Sequence, residues 1–446
     1  MAPLRLILAI SCICAGCATK LLPRTPGPDL PHGTVRLLDS EPGMAHVIIQ
    51  AMVAAAPPAG RPPAATDQAG CRTIRLGRDE DGQPIAGQLL DAWQDALSES
   101  KSAHGWLLEP VDGAREVVLG AAERVSGLST ESEEQLVVCF HRPTPDWPLR
   151  LTHPALWPES GGAGAGTFRW SNGGEALVRR MAGPGQRRQR VRRVQIVVGD
   201  GDQSFDLAVV YGRAAGRLLE HDDGALRVER IPRWDVSYAL WLNPDARWTN
   251  DPSFRRWLSA VIDRDSTARY LFGEQAQAAT SLIGGSGVEH QAGKRPFSAT
   301  SSPRLILSYE DLDRNAASLA ARVKAVLERS GVAVRLVTGP VDQRWSIVLV
   351  AHRPQVADPL LGLLGTLWPL GESAQEEIVR LDRATRIPHD GRRRERALAI
   401  EQSWLTDARM IPLVRVHAWL ARHSRLSGVQ VGAFGILRLD RAEWRR

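Results

Sequence analysis

Apolar positions fall into two rhythms along this chain, one suited to strands and one to helices. Short apolar runs bounded by turn residues read as strands: "GTVRLL" from Gly33, "CRTIRL" from Cys71, "QLVVCF" from Gln135, "PRLILSY" from Pro303, "VAVRLV" from Val332 and "SIVLVA" from Ser346. Two more strands are expected near Val194 to Val198 and Leu207 to Tyr211. Elsewhere apolar residues recur at the three-and-four spacing of one helical face. The stretch "NDPSFRRWLSAVIDRD" puts Phe254, Trp257, Leu258, Val261 and Ile262 on such a stripe, with Asp251 placed to cap it and Pro252 suited to its first turn. Similar stripes join Leu89, Trp93, Ala96 and Leu97, then Ala316, Leu319, Ala320, Val323 and Leu327 before Gly331, and Ala397, Ile400, Trp404 and Leu405. "IPLVRVHAWLA" predicts one long strand. From Pro303 the order is β-α-β-β, so the fold class is α/β. No internal repeat is present.

The N-terminus follows neither rhythm. In "MAPLRLILAISCICAGC" one Arg precedes an apolar run from Leu6 to Cys14, and small residues follow before Cys17. This is the layout of an export signal, and the run is shorter than the roughly 20 residues a membrane span needs. Residues 1–16 are therefore expected to be a signal peptide and 17–32 a Pro-rich tether. The mature chain is expected to be exported, on the periplasmic or cell-surface face.

Composition changes the picture little. The 446 residues, 43% hydrophobic and 24% charged, are enough for about two to three domains with their own cores. A net charge of +6 does not point to nucleic acid, because the basic residues are spread along the chain and an exported protein meets little of it. The local excess "RRQRVRR", Arg187 to Arg193, reads as a solvated hairpin. Three of the five cysteines lie in the leader, leaving Cys71 and Cys139. Spacing alone leaves open whether these two form a disulfide or stay separate buried thiols.

Enzyme and metal signatures fail on spacing. "GGAGAG" places its third glycine too early for a dinucleotide fingerprint, and "GVEHQAGKR" has one residue too many for a phosphate loop and lacks its Ser or Thr. "GGSGV" breaks the nucleophile elbow at Val288. "DGDQSFD" lacks the glycine and final Glu of a calcium loop, and no His pair has metal-ligand spacing, so His141 and His153 read as surface residues. No enzymatic activity, cofactor or metal is expected.

Several segments, in their order, resemble bacterial extracellular solute-binding proteins of family 5, the peptide and nickel class served by ABC importers. "TIRLGRDEDGQPIAGQLLDAWQDAL" looks like that family's strand, turn and helix; "LVVCFHRPTPDWPLRLTHPALWP" looks like the strand and Pro-rich run that follow. "GAGTFRW" stands where the family has "GTGPY", "DPSFRRWLSAVIDRDSTARYLFG" resembles its Asp-Arg helix, and "WLTDARMIPLVRVHAWLARHSRLSGVQV" resembles its closing segment. "CAGC" is similar to the lipobox of bacterial lipoproteins, which would make Cys17 a lipidated first residue. The alternative is an ordinary cleaved signal with an incidental Cys17.

The resemblance implies a two-lobed periplasmic-binding-protein type II-like fold with two hinge strands and a small α/β subdomain inserted in lobe I. Lobe I would comprise 33–50, 148–242 and 411–446, the inserted subdomain 51–147, and lobe II 243–410. Hinges would fall near Ala239 to Asn243 and Ile411 to Val416. The implied role is capture of a small-molecule or peptide solute in the inter-lobe cleft. ABC permease subunits would be partners, a membrane would be reached through the N-terminal lipid, and the protein would be a monomer. The alternative is a ligand-less lipoprotein using the same fold as a scaffold or partner-binding module.

Within "RWSIVLVAHRPQVADPLLGLL", aligned on Asp358-Pro359, the family's motif puts Ser346 at its first Asp, His352 at its Trp and Gln355 at the Asp that holds a peptide's α-ammonium. One neutral carbonyl replaces that anion, which argues against ordinary peptide capture there. Candidate cleft residues are Glu41, Trp170, His352, Arg353 and Gln355. Arg353 could meet a carboxylate or phosphate, or be a solvated loop charge. Trp170 could stack on ligand or pack in the core.

Overall fold

The computed structural model describes residues 34–39, 70–75, 85–98, 105–118, 121–142, 144–150, 156, 168–170, 177–180, 193–198, 206–220, 224–231, 234–285, 287–288, 303–310, 313–338, 345–353, 358–387, 391–431, 437–438 and 442–444. For strands Thr34–Asp39, Phe168–Trp170, Leu177–Arg180 and Arg193–Val198 only the backbone is described. The leader, the tether, Cys17, Glu41, Gln355, His153 and most of the Arg187 to Arg193 run lie outside the described residues, and so does the side chain of Trp170.

Two sheets organise the fold. A seven-stranded sheet runs in the order Phe168–Trp170, Leu177–Arg180, Arg193–Val198, Thr34–Asp39, Leu207–Tyr211, Ala418–His423 and Leu226–Arg230. A six-stranded sheet runs in the order Ala276–Ala278, Met410–Val416, Val236–Leu242, Ile347–His352, Arg304–Tyr309 and Ala333–Thr338. A third, three-stranded sheet joins Cys71–Arg75, Gln135–Cys139 and Leu128–Ser132 and packs with the helix Ile85–Ser98. In it Cys71 lies directly opposite Cys139 and the two are bonded, S–S 2.02 Å.

The chain crosses between the two large sheets twice, from Arg230 to Val236 and from Val416 to Ala418. The stretches expected to carry the hinges sit in strands Val236–Leu242 and Met410–Val416, which pair with each other inside the six-stranded sheet. Hence "IPLVRVHAWLA" is two strands in two sheets rather than one long strand, broken at His417.

Alternation along Val236–Leu242 sends its residues to two cores. Tyr238, Leu240 and Leu242 join a cluster with Phe254, Leu258, Leu319 and Val323. Ala239 and Trp241 join a second cluster with Trp93, Trp106, Leu363, Leu367 and Trp404, so the three-stranded unit shares its core with helices of the six-stranded sheet. The rings of Trp241 and Trp404 meet edge to face at 5.5 Å. A Cβ on Gly365 would stand 3.0 Å from Cε2 of Trp106, so only glycine lets the indole come this close.

The helical stripes are buried as their spacing requires, with Leu89, Trp93 and Leu97 at 1% exposure or less. The "NDPSFRRWLSAVIDRD" stretch, expected as one helix, is instead two, Pro252–Val261 and Arg264–Phe272. Ile262 is extended, and the Asp263 side chain accepts from the Ser266 amide, a local bond that starts a new helix in place of continuing the old one.

Candidate functional site

Strands Arg304–Tyr309, Ala333–Thr338, Ile347–His352 and Met410–Val416 run in one direction, so their carboxyl ends gather on the edge of the six-stranded sheet where both crossings to the other sheet occur. In α/β sheets ligands collect at such edges. The antiparallel strand Val236–Leu242 begins there, and its Ser237 lies opposite His352 on one side and Arg415 on the other. Directly opposed residues share a face, so His352, Ser237 and Arg415 form a polar row on the edge of an apolar sheet.

Arg415 donates from Nε to Ser237 Oγ at 3.1 Å and from Nη2 to the carbonyls of Ser281 and Leu282 at 2.9 and 3.2 Å. The Ser281–Gly285 turn is held in turn by Glu401, which accepts from Ser281 Oγ at 2.8 Å and from the Leu282 amide at 2.5 Å. Burial pushes the Glu401 carboxyl up, opposed by these bonds and by Arg415. His352 is 6% exposed, and its Nδ1 lies 2.7 Å from Thr366 Oγ1. Burial, and then the charge of Arg415, push its pKa down to about 4, so the imidazole is neutral at physiological pH.

Arg353 turns to the opposite face. Its Nη2 donates to Asp313 Oδ2 at 3.0 Å and its Nη1 lies 3.8 Å from Glu310. Asp313 also accepts from Tyr238 Oη at 2.9 Å and caps the helix Arg314–Arg329 through the Ala316 amide. The far end of the tract is fixed as firmly. Asp358 caps the helix Pro359–Leu367 by accepting from the Leu361 amide, and it receives Nε of Arg393 at 2.7 Å, both side chains being 1% exposed. Pro359 suits that first turn. Arg353 is thus tied to the cap of the helix Arg314–Arg329, and Asp358 to the helix Gly391–Thr406.

Of the sequence candidates the structure brings His352 and Arg353 to this edge, on opposite faces of one strand. Ser237, Arg415, Glu401 and Asp313 were missed. The register between two strands far apart in the chain unites the first two, and no local motif marks it. The two crossings are tied at Asp235, whose Oδ2 takes His417 Nδ1 at 3.1 Å and Arg230 Nη2 at 3.0 Å. Burial raises the Asp235 pKa, but the hydrogen bond and charge of His417 and the charge of Arg230 outweigh it and hold the carboxyl low. A groove of about 430 Å³ between helices Gln375–Thr385 and Gly391–Thr406 is lined by Arg380, Arg383 and Arg396 but by none of the residues of the polar row. Among the described residues no group of three or more His, Cys, Asp or Glu is placed to hold a metal, and no helix is long and apolar enough to cross a membrane.

No known family profile matches the sequence, and no curated protein matches it. Solved structures do. Haemophilus influenzae OppA, in complex with the peptide RPPGFSPFR, superposes with a TM-score of 0.69 over 93% of this chain and 99% of its own, at 12% identity. The chain has the fold of these two-lobed binding proteins. The Escherichia coli murein tripeptide binding protein MppA matches with a TM-score of 0.68 over 94% of this chain and 99% of that one, at 14% identity. NikA from Staphylococcus aureus, in complex with Ni(L-His)2, matches with a TM-score of 0.67 over 93% of this chain and 100% of that one, at 11% identity. The two crossings link the two large sheets, and the polar row stands on the edge of the six-stranded sheet that faces them.

Proposed function

We propose that this chain is the solute-binding protein of an ABC importer, a divergent relative of the family 5 proteins, exported and held to a membrane through a lipid on Cys17. The observation that carries the reading is the fold itself: two lobes joined by paired crossings at Arg230–Val236 and Val416–Ala418, matched over 93% of the chain by proteins that bind peptides or a nickel complex. Solute bridges the lobes and favours the closed arrangement, which permease subunits then distinguish from the open one. The Asp235–His417 tie lies on both crossings at once and is positioned to set how easily they bend. A polar row at the sheet edge, with neutral His352 and cationic Arg415 on either side of Ser237, suits an organic solute recognised by hydrogen bonds.

The test is native mass spectrometry of the purified mature chain, followed by thermal shift against a panel of peptides, metal chelates and small acids. A bound small molecule, or one that raises the melting temperature in proportion to its concentration, is the expected result. No bound molecule and no shift across the panel would refute the reading.

A further inference from the structure

We propose that the groove between helices Gln375–Thr385 and Gly391–Thr406 is a docking site for an acidic, amphipathic peptide segment of a protein partner, one that alternates Asp or Glu with aliphatic residues. The proposal goes beyond the solute-binding reading and stands without it, because the groove shares no residue with the polar row.

The stretch "RLDRATRIPHDGRRRER", Arg380 to Arg396, sets seven arginines against three acidic residues. Their partners sort them. Arg393 is buried on Asp358, and Arg386 lies 3.4 Å from Asp382. Arg380 ties the two helices together: its Nη1 donates to Ser403 Oγ at 2.9 Å and lies 3.4 Å from Glu377 Oε2. Arg383 on one helix and Arg396 on the other are exposed, and among the described residues neither guanidinium has a hydrogen-bond or ion-pair partner. Both line the groove of about 430 Å³ together with Arg380, and Val379, Ala384 and Ile387 form its apolar part. Among the described residues that line it, Glu376 is the one carboxylate, so three guanidiniums surround a groove that holds a single negative charge of its own. Its volume lies within the roughly 300–1,000 Å³ usual for ligand sites.

Charge and shape together select the occupant. Like charges gathered on one groove repel each other, and carboxylates entering it relieve that repulsion, each able to take two parallel bonds from a guanidinium fork. The apolar part of the lining then decides which anion fits. A bare inorganic anion leaves Val379 and Ile387 against water. A lipid headgroup brings phosphate, but its acyl chains stay in the bilayer and its glycerol is polar. A peptide with an aliphatic side chain between two carboxylates covers the apolar part and meets Arg383 and Arg396 at once, from opposite walls of the groove. Exposed ion pairs of this kind give specificity and salt sensitivity more than affinity. Because the groove is separate from the sheet edge, its occupant does not compete with anything bound there.

Three pentapeptides, each acetylated and amidated so that no terminus carries charge, test this by calorimetric titration into the purified protein: Glu-Leu-Asp-Leu-Glu, its neutral isostere Gln-Leu-Asn-Leu-Gln, and Glu-Ser-Asp-Ser-Glu. At low salt the first should bind about 10-fold more tightly than the neutral isostere, the worth of two or three exposed pairs, and several-fold more tightly than the serine form. The advantage over the isostere should vanish near 1 M salt, where screening acts within about 3 Å. Arg383→Gln combined with Arg396→Gln should abolish that advantage, and Arg383→Glu combined with Arg396→Glu should transfer it to Lys-Leu-Lys-Leu-Lys. The comparisons in wild type stand even if a variant fails to fold. Equal binding of the acidic peptide and either of the other two overturns the proposal. So does a preference that survives Arg383→Gln with Arg396→Gln, which would place the peptide elsewhere, and so does the absence of any binding. Vesicles containing phosphatidylglycerol that sediment the wild-type protein but not that double variant, without peptide selectivity, overturn it in favour of lipid headgroups. None of these results touches the solute-binding reading, and a chain found to carry no solute leaves the groove's selectivity to stand or fall by itself.

Discussion

Replacing Arg393 with methionine isolates the ion pair that fixes the end of the polar tract. Arg393 and Asp358 are both 1% exposed, so neither charge has water to fall back on. Arg393 donates Nε to Asp358 Oδ2 at 2.7 Å, and Nη1 to the carbonyls of Thr385 and Ile387. Methionine fills similar volume without charge or donors. It leaves Asp358 as a buried anion without its guanidinium, and two carbonyls lose a donor. Breaking one side of a buried pair costs about 3–5 kcal/mol. Asp358→Asn on that background removes the stranded charge but keeps an acceptor for the helix cap, so about 2 kcal/mol should return, the desolvation cost of a charged group being larger than that of an amide. Guanidinium denaturation followed by tryptophan fluorescence reads both values, with Trp368 at the end of the affected helix as a local reporter. Arg393→Met within about 1 kcal/mol of wild type, or a double variant no more stable than the single one, would refute the claim that this pair anchors the tract.

Three further outcomes follow from the same structure. Reducing the Cys71–Cys139 bond, which closes a 68-residue separation, should cost about 4 kcal/mol by loop entropy and lower the melting temperature; an unchanged melting curve after complete reduction would count against it. His352 should keep its neutral ring down to about pH 4, as read from its imidazole resonance assigned by loss in His352→Gln. Its pKa is depressed on folding from 6.5, so its contribution to stability is present above 6.5 and is lost as pH falls towards 4. Asp382 has the opposite sign. Burial and the nearby Glu109 charge raise it from 3.8 to about 6 despite Arg142, which bridges both carboxylates, so its contribution is present below 3.8 and is lost as pH rises through 6. Asp382→Asn should therefore leave stability rising more steeply with pH between about 4 and 6 than in wild type, and an unaltered pH profile would contradict the assignment.

The sequence by itself determined the elements and their class. Period-two and period-3.6 patterns follow from local geometry, and so the stripes of Leu89 to Leu97 and Ala316 to Leu327, the strand ending at His352 and the Asp251 cap could all be read without a partner in view. The ordered resemblance to family 5 proteins extended this to a two-lobed fold. Where local chemistry offers two continuations the reading went astray: Asp263 starts a second helix, and His417 divides an apolar run between two sheets. Only the tertiary structure decided which residues meet. Ser237 lies 178 positions from Arg415 in the chain, and their contact exists because a register between non-consecutive strands places them side by side. The same holds for Asp358, whose place in a family-like Asp-Pro pair was legible, whereas its partner Arg393 was not. Sequence spacing fixes what one element presents, but register and packing fix what it faces, and at this sheet edge the polar contacts lie between elements.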